Sequence, residues 1–173
     1  METQPKLHTK RLTLRPFSLT DAPRVQDLAG DRRVSEMTAN IPYPYKDGMA
    51  ESWIASRAVA FSRGEAIVYA VTLSETSELV GTVSLTELTA TDGNLGYWIG
   101  FPYWGNGYCT EAAGALVEFG LKEFGLPLIY ARHLKENHPS GRVILNIGFQ
   151  HMGTVSMDVN GERRVLEHYE RRK

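Results

Sequence analysis

The sequence predicts an α/β fold of the mixed α+β kind. The expectation is one twisted, mixed but mostly antiparallel sheet of about six to seven strands, with helices on both faces. Three observations predict it. Apolar runs of period two alternate with segments of helical period, in the order strand, two helices, three strands, helix, strand, helix, two strands. No repeat, low-complexity stretch or linker divides the 173 residues, so they read as a single domain, 1–173, with a core over about residues 8–170. Hydrophobic residues make up 42% and charged residues 23%, the balance of a chain that buries one core rather than staying disordered.

Each element has a local reason. Leu7 to Phe17 alternates at Leu12, Leu14 and Phe17, a strand pattern. Thr20-Asp21-Ala22-Pro23 reads as a helix start, a capping side chain followed by proline in the first turn, with Val25, Leu28 and Ala29 on one face. Asn40 to Tyr45, NIPYPY, is a rigid aromatic loop. Asp47 to Ser62 follows as a helix that Gly64 stops. Ala66–Leu73 and Leu79–Leu85 are strands about the polar turn Ser74–Ser77, and Leu95–Gly100 is a third run. Thr110 to Phe124 is the clearest helix, with Ala112, Ala113, Leu116, Val117, Leu121 and Phe124 on one stripe. Leu126–Leu134 is a buried strand, Ser140–Asn146 a short helix ended by Gly148, and Gly153–Val159 pairs with Glu162–Tyr169 across Asn160-Gly161.

Totals exclude several classes. The formal charge is −1, so there is no basic field for direct nucleic-acid binding. The N-terminus has no apolar signal core and no long apolar run occurs, so a cytoplasmic protein without a membrane partner is the expectation. One cysteine, Cys109, permits neither an intramolecular disulfide nor a cysteine-based zinc site, and the five histidines show no paired ligand spacing; no metal is expected.

Trp104-Gly105-Asn106-Gly107-Tyr108-Cys109 carries the most chemistry. A hairpin at Asn106-Gly107 would need a strand to follow, and a helix pattern follows instead. A dinucleotide fingerprint lacks its third glycine, since Thr110 stands there. A phosphate cradle fits: the first N–H groups of a helix have no internal partner, the dipole favours an anion, and glycines let the backbone approach it. Thr110 would cap the helix or offer its hydroxyl. Glu111, in the first turn, must point away from the anion.

These residues resemble the GNAT superfamily of N-acetyltransferases, which binds the acetyl-CoA pyrophosphate at a Gln/Arg-x-x-Gly-x-Gly/Ala turn opening its central helix. The aligned residues are Trp104, Gly107 and Cys109; the first and last depart from that pattern. WGNGYCTEA is instead similar to the branch that acetylates ribosomal-protein N-termini, as are HTKRLTLRPFSLTDAPRVQDL and ENHPSGRVILNIGF. The resemblance implies an acyltransferase moving acetyl from acetyl-CoA by direct attack of a primary amine. The acceptor would be a protein N-terminus or a small-molecule amine; a silent CoA-binding module is the alternative. Backbone groups of Trp98, Ile99 and Gly100 would hold the pantetheine arm, with one N–H polarising the thioester carbonyl. N–H groups across Gly105, Asn106, Gly107, Tyr108, Cys109 and Thr110 would hold the pyrophosphate, and Asn137 would contact the pantetheine amides.

The proton donor is less direct. The tyrosine that many members place four residues before the glycine of the final Gly-Phe is Ile144 here. Ser140 is the substitute named, with a plain helix cap as its other reading. Glu36, Glu87, Asp92 and His133 are open as general base. Cys109 sits in the phosphate turn and reads as packing rather than as a nucleophile. Tyr43 and Tyr45 of the aromatic loop are the candidate acceptor contacts, and either a monomer or a homodimer is compatible with the pattern.

Overall fold

The computed structural model describes residues 3–173. The eight strands are β1 (Leu7–His8), β2 (Leu12–Arg15), β3 (Ile67–Leu73), β4 (Leu79–Thr86), β5 (Asp92–Ile99), β6 (Leu128–Leu134), β7 (Gln150–Val159) and β8 (Glu162–Arg172). They form one sheet in the order β1-β2-β3-β4-β5-β6-β8-β7. Every neighbouring pair is antiparallel except β5 and β6. The helices are α1 (Ala22–Ala29), α2 (Arg32–Glu36), α3 (Met49–Ser62), α4 (Tyr108–Lys122) and α5 (His138–Asn146). The parallel pair exists because α4 carries the chain back across the sheet between β5 and β6.

The sheet separates two cores. On one face α4 and α5 cover Leu14, Tyr69, Val83, Leu85 and Ile129, and Leu116 of α4 is fully buried among them. On the other, α1 and α3 cover Ala70 and Leu79 with Val25, Leu28 and Ile54. Strict alternation along β4 and β5 sends Val83, Leu85, Leu95 and Tyr97 to the α4 face and leaves Thr82, Ser84, Thr86 and Asn94 on the other.

Several boundaries differ from the expectation for identifiable reasons. The first strand breaks at Thr9, whose hydroxyl accepts the Leu12 N–H at 2.9 Å. The sheet therefore has eight strands rather than six to seven. Ser18, not Thr20 or Asp21, supplies the cap ahead of α1, in a reciprocal box with Asp21. Asp31 accepts the Arg33 N–H at 2.9 Å and starts α2, which hydrophobic pattern alone does not mark. The helix expected from Thr110 begins at Tyr108 with Gly107 as its cap, so Thr110 lies inside the first turn and caps nothing. The helix expected from Ser140 begins at His138, and Asn137 caps it through the Ser140 N–H at 3.3 Å. The reading of Ser140 as a cap is thereby corrected.

Candidate active site

β5 and β6 pair only over Asp92–Leu95 and Leu128–Ala131. Beyond Leu95 they part. Gly96–Ile99 stay bonded to β4 alone, and Arg132–Leu134 to β8 alone. An opening in mid-sheet results, with one inward-facing backbone edge on each side that no strand covers. A cleft of about 640 Å³ passes through it, lined by Trp98, Leu134, Asn137, Ser140 and Ile144 and by residues of the α1–α3 face.

The end of β5 reaches the glycine turn through a short 3-10 turn, Phe101–Tyr103. The Trp104 indole donates to the Ile99 carbonyl at 2.6 Å, bracing the strand end against the turn. Asn106 bonds the Tyr103 and Trp104 carbonyls through Nδ2 at 3.0 and 3.3 Å, so its side chain shapes the loop. Gly105 and Gly107 take φ of +79° and +77°, the left-handed region that disfavours a side chain. Among the described residues, no hydrogen bond uses the N–H groups of Gly105 through Thr110. Nothing lies within 4 Å of where a Gly105 Cβ would stand. An open row of unbonded donors at a 15-residue helix's N-terminus fits a pyrophosphate.

Glu111 is turned away from this row, as required. It accepts from Thr9 Oγ1 at 2.6 Å, the Arg11 N–H at 2.8 Å and Arg11 Nε at 2.7 Å. Burial raises its carboxyl, but these bonds from Thr9 and Arg11 outweigh that and hold it below the ordinary range. Arg11 also donates to the Asn106 carbonyl at 2.9 Å and covers the Tyr108 ring. Sequence reading missed Arg11 because it lies in the bend between β1 and β2, some 95 positions away from the turn it grips.

Deeper in the opening, the Tyr97 hydroxyl lies 2.6 Å from Ser140 Oγ and 3.1 Å from the Ser140 carbonyl. Both side chains belong to the α4 side of the opening. Burial pushes the Tyr97 hydroxyl strongly up, so it stays protonated. Ser140 is itself buried. Ile144 is fully buried and offers no proton, as its identity implies. Tyr97 was legible in principle, since alternation with Leu95 and Ile99 places it on that face. Cys109 packs against the core, and burial pushes its thiol up to about 12, leaving no thiolate to act as a nucleophile.

The remaining candidates separate clearly. His133 is buried and occupied, with Nδ1 at 2.7 Å from the Leu134 carbonyl and Nε2 at 3.2 Å from the Tyr169 hydroxyl. Glu36 is exposed and paired with Arg32. Asp92 is held by Thr89 and Thr91 at the far end of β5. Glu87 lines the cleft and accepts from the Tyr130 hydroxyl at 2.6 Å. Tyr45 lines the cleft, whereas Tyr43 is 58% exposed, faces Arg32 and lies outside it. Asn137, besides its capping bond, donates Nδ2 to the Met37 carbonyl at 2.9 Å. Asn160, at the β7–β8 turn, donates to the Ala39 carbonyl at 3.2 Å. These two amides tie segment 37–39 across one side of the cleft.

Among the described residues no group of three or more His, Cys, Asp or Glu is placed to hold a metal, and no helix is long and apolar enough to cross a membrane.

Comparison with known proteins agrees with this geometry. A family model described as an acetyltransferase (GNAT) domain matches residues 11–150. An N-acetyltransferase of Bacillus licheniformis, p20, is 30% identical over 172 residues, covering 98% of this chain and 94% of its own. The crystal structure of a GNAT-family acetyltransferase from Bacillus anthracis superposes with a TM-score of 0.87 at 23% identity, covering 97% of this chain and 98% of that one. A ribosomal L7/L12 α-N-protein acetyltransferase, RimL, solved with coenzyme A, gives 0.87 at 16% identity, with coverage of 97% and 98%.

Proposed function

This chain belongs to the GNAT acetyltransferase family, and from that premise we propose that it transfers acetyl from acetyl-CoA directly to a primary amine entering through the cleft on the α1–α3 face. One observation carries the reading: the backbone edge of Gly96–Ile99 that no strand covers is followed, after one short 3-10 turn at Phe101–Tyr103, by the unbonded N–H row of Gly105–Thr110. A ligand with an extended amide arm and a pyrophosphate end matches both parts.

Acetyl-CoA supplies an acyl group activated as a thioester, whose thiol leaves when a neutral amine attacks. The chain's own residues do the rest. Backbone groups of Trp98, Ile99 and Gly100 receive the pantetheine arm, and an N–H of this edge polarises the acyl carbonyl. Gly105, Asn106, Gly107, Tyr108, Cys109 and Thr110 hold the pyrophosphate through their N–H groups, with Trp104 bracing them. Asn137 stands where the arm passes. Ser140 gives its hydroxyl proton to the leaving thiolate, the neighbouring Tyr97 hydroxyl orients it and replaces that proton, and the proton that the attacking amine loses restores the pair. Tyr45 lines the acceptor path.

A protein N-terminus is the acceptor that the Rim-type resemblance favours. A small amine is the second reading, supported by the Asn137 and Asn160 ties that close one side of the cleft.

Thermal unfolding with and without millimolar acetyl-CoA, with ATP and NAD as controls, tests the proposal. A ligand at about a hundred times its dissociation constant stabilises by roughly 2.7 kcal/mol, a rise of about 5–10 °C here. A rise with acetyl-CoA alone supports it. No rise in a protein that unfolds cooperatively removes it. Thiol release with an amine panel then reads the transfer.

A further inference from the structure

Two guanidinium groups line the cleft with no carboxylate to meet them. Arg57 stands on α3. Its Nε donates to the Trp53 carbonyl at 3.0 Å, its Nη2 to Ser56 Oγ at 2.7 Å, and its head lies 5.2 Å from the Trp53 ring centre. Arg132 stands on β6. Its Nε reaches His168 Nδ1 at 3.4 Å, its Nη1 reaches Met157 Sδ at 3.6 Å, and its head lies 4.6 Å over the Tyr130 ring. Both are half-buried, and among the described residues neither takes part in an ion pair. Arg15, Arg24, Arg164 and Arg171, covered to similar extents, each hold a carboxylate.

A partly desolvated cation without a counter-ion is costly, and a weak thioether contact does little to offset it. Burial alone acts on Arg57, pushing its pKa down with nothing to oppose it. The aromatic rings fix the heads in place. The floor between the two walls is polar: Thr82, Ser84, Thr86 and Asn94 face it, and Thr82 Oγ1 and Asn94 Oδ1 have no hydrogen-bond partner. Two carboxylates also line the cleft, Glu87, held by Tyr130, and the exposed Asp158; neither reaches an arginine. The lining is thus the complement of a molecule carrying both signs of charge.

We infer that the acceptor bears an anionic group, a carboxylate or a phosphate, a few bonds from its reacting amine, and that Arg57 and Arg132 bind that group. This rests on the acetyl-transfer reading above. A neutral amine would enter leaving both guanidiniums unpaired. An anion meets them through charge-assisted bonds, bidentate where the planar fork allows. The same chemistry has two sources: a small molecule such as a free amino acid or an aminoalkyl phosphate, or a peptide N-terminus followed by an acidic side chain.

The test uses matched pairs in a thiol-release assay: amino acids against their amides, phosphoethanolamine against ethanolamine, and dipeptides with glutamate or glutamine second. The expected result is at least a tenfold higher kcat/KM for the anionic member of one pair type, and the reactive pair identifies the source. Arg57→Gln and Arg132→Gln should each cost the anionic member at least tenfold more than the neutral one, mainly through KM, with Arg132→Lys intermediate. A direct readout covers the case in which no panel member turns over. With acetyl-CoA saturating, inorganic phosphate should raise the unfolding midpoint above a chloride control of equal ionic strength, and the glutamine variants should lose that rise. Equal rates for both members of every pair, or equal phosphate response in wild type and variants, would overturn the inference. Loss of the acetyl-CoA shift itself, in wild type, would instead overturn the parent reading, so the two failures are distinguishable.

Discussion

Glu111→Ala should loosen the glycine turn without touching any atom of it. The carboxylate accepts three hydrogen bonds, from Thr9, the Arg11 N–H and Arg11 Nε. The Thr9 hydroxyl and the Arg11 N–H, neutral donors near the surface, each lose about 1 kcal/mol with the carboxylate. The Arg11 side chain is 43% exposed, so its ion pair is discounted to about 0.5 kcal/mol. Alanine returns a few tenths through its better helix propensity. The net loss is about 2 kcal/mol, a fall of about 4–8 °C in the unfolding midpoint. Arg11, freed from Glu111, should release the Asn106 carbonyl, and acetyl-CoA affinity should fall about three- to tenfold from a floppier turn. The pH dependence has a definite sign. The carboxyl is held below its ordinary value of 4.5, so its contribution is complete above that value and disappears as pH falls through the lowered one. The stability gap between wild type and variant should be flat from neutral pH to about 5 and narrow below it. Calorimetric scans at several pH values measure this. A gap under about 0.5 kcal/mol, or one that widens toward acid, would refute the account.

Ser140→Ala should lower kcat about a hundredfold while the acetyl-CoA midpoint shift persists, and Tyr97→Phe should cost less, about tenfold; unchanged turnover in folded Ser140→Ala removes the serine from the proton path. Cys109→Ser should keep turnover within about threefold, and mass spectrometry of protein quenched during turnover should show no acetyl on Cys109. Leu116→Ala, at a fully buried position between α4 and the sheet, should cost about 3 kcal/mol, read by denaturant midpoint at constant slope.

The sequence made periodic elements legible and long-range ones obscure. α4 and the β7–β8 hairpin were readable because their signals are local: a stripe in one, Asn160-Gly161 in the other, which indeed take φ of +52° and +83°. The glycine turn ahead of α4 was readable for the same reason. Helix starts were displaced by two residues where a glycine or asparagine cap outranked the hydroxyl residue nearby, at Gly107 and Asn137. α2 escaped because five residues are too few for periodicity. Arg11, Arg57, Tyr97 and Arg132 escaped because each matters through a partner or a cavity contributed by distant chain. Choosing among Glu36, Glu87, Asp92 and His133 required knowing which face of the sheet each occupies.

The two asparagine ties also set an order of events. They join positions 100 and 121 residues apart, so segment 37–39 can be fastened at Met37 only once Asn137 is made and at Ala39 only once the C-terminal hairpin exists. A chain emerging from the ribosome N-terminus first can dock α1 and α3 on β3 and β4 early, but this side of the cleft stays open until nearly the last residue is released. Arg132 is likewise placed late, on the part of β6 whose neighbouring strand is β8, not yet made. A fragment ending before β7 would keep the glycine turn and lack the cleft wall that Met157–Asn160 supply, so synthesis finishes the cleft last.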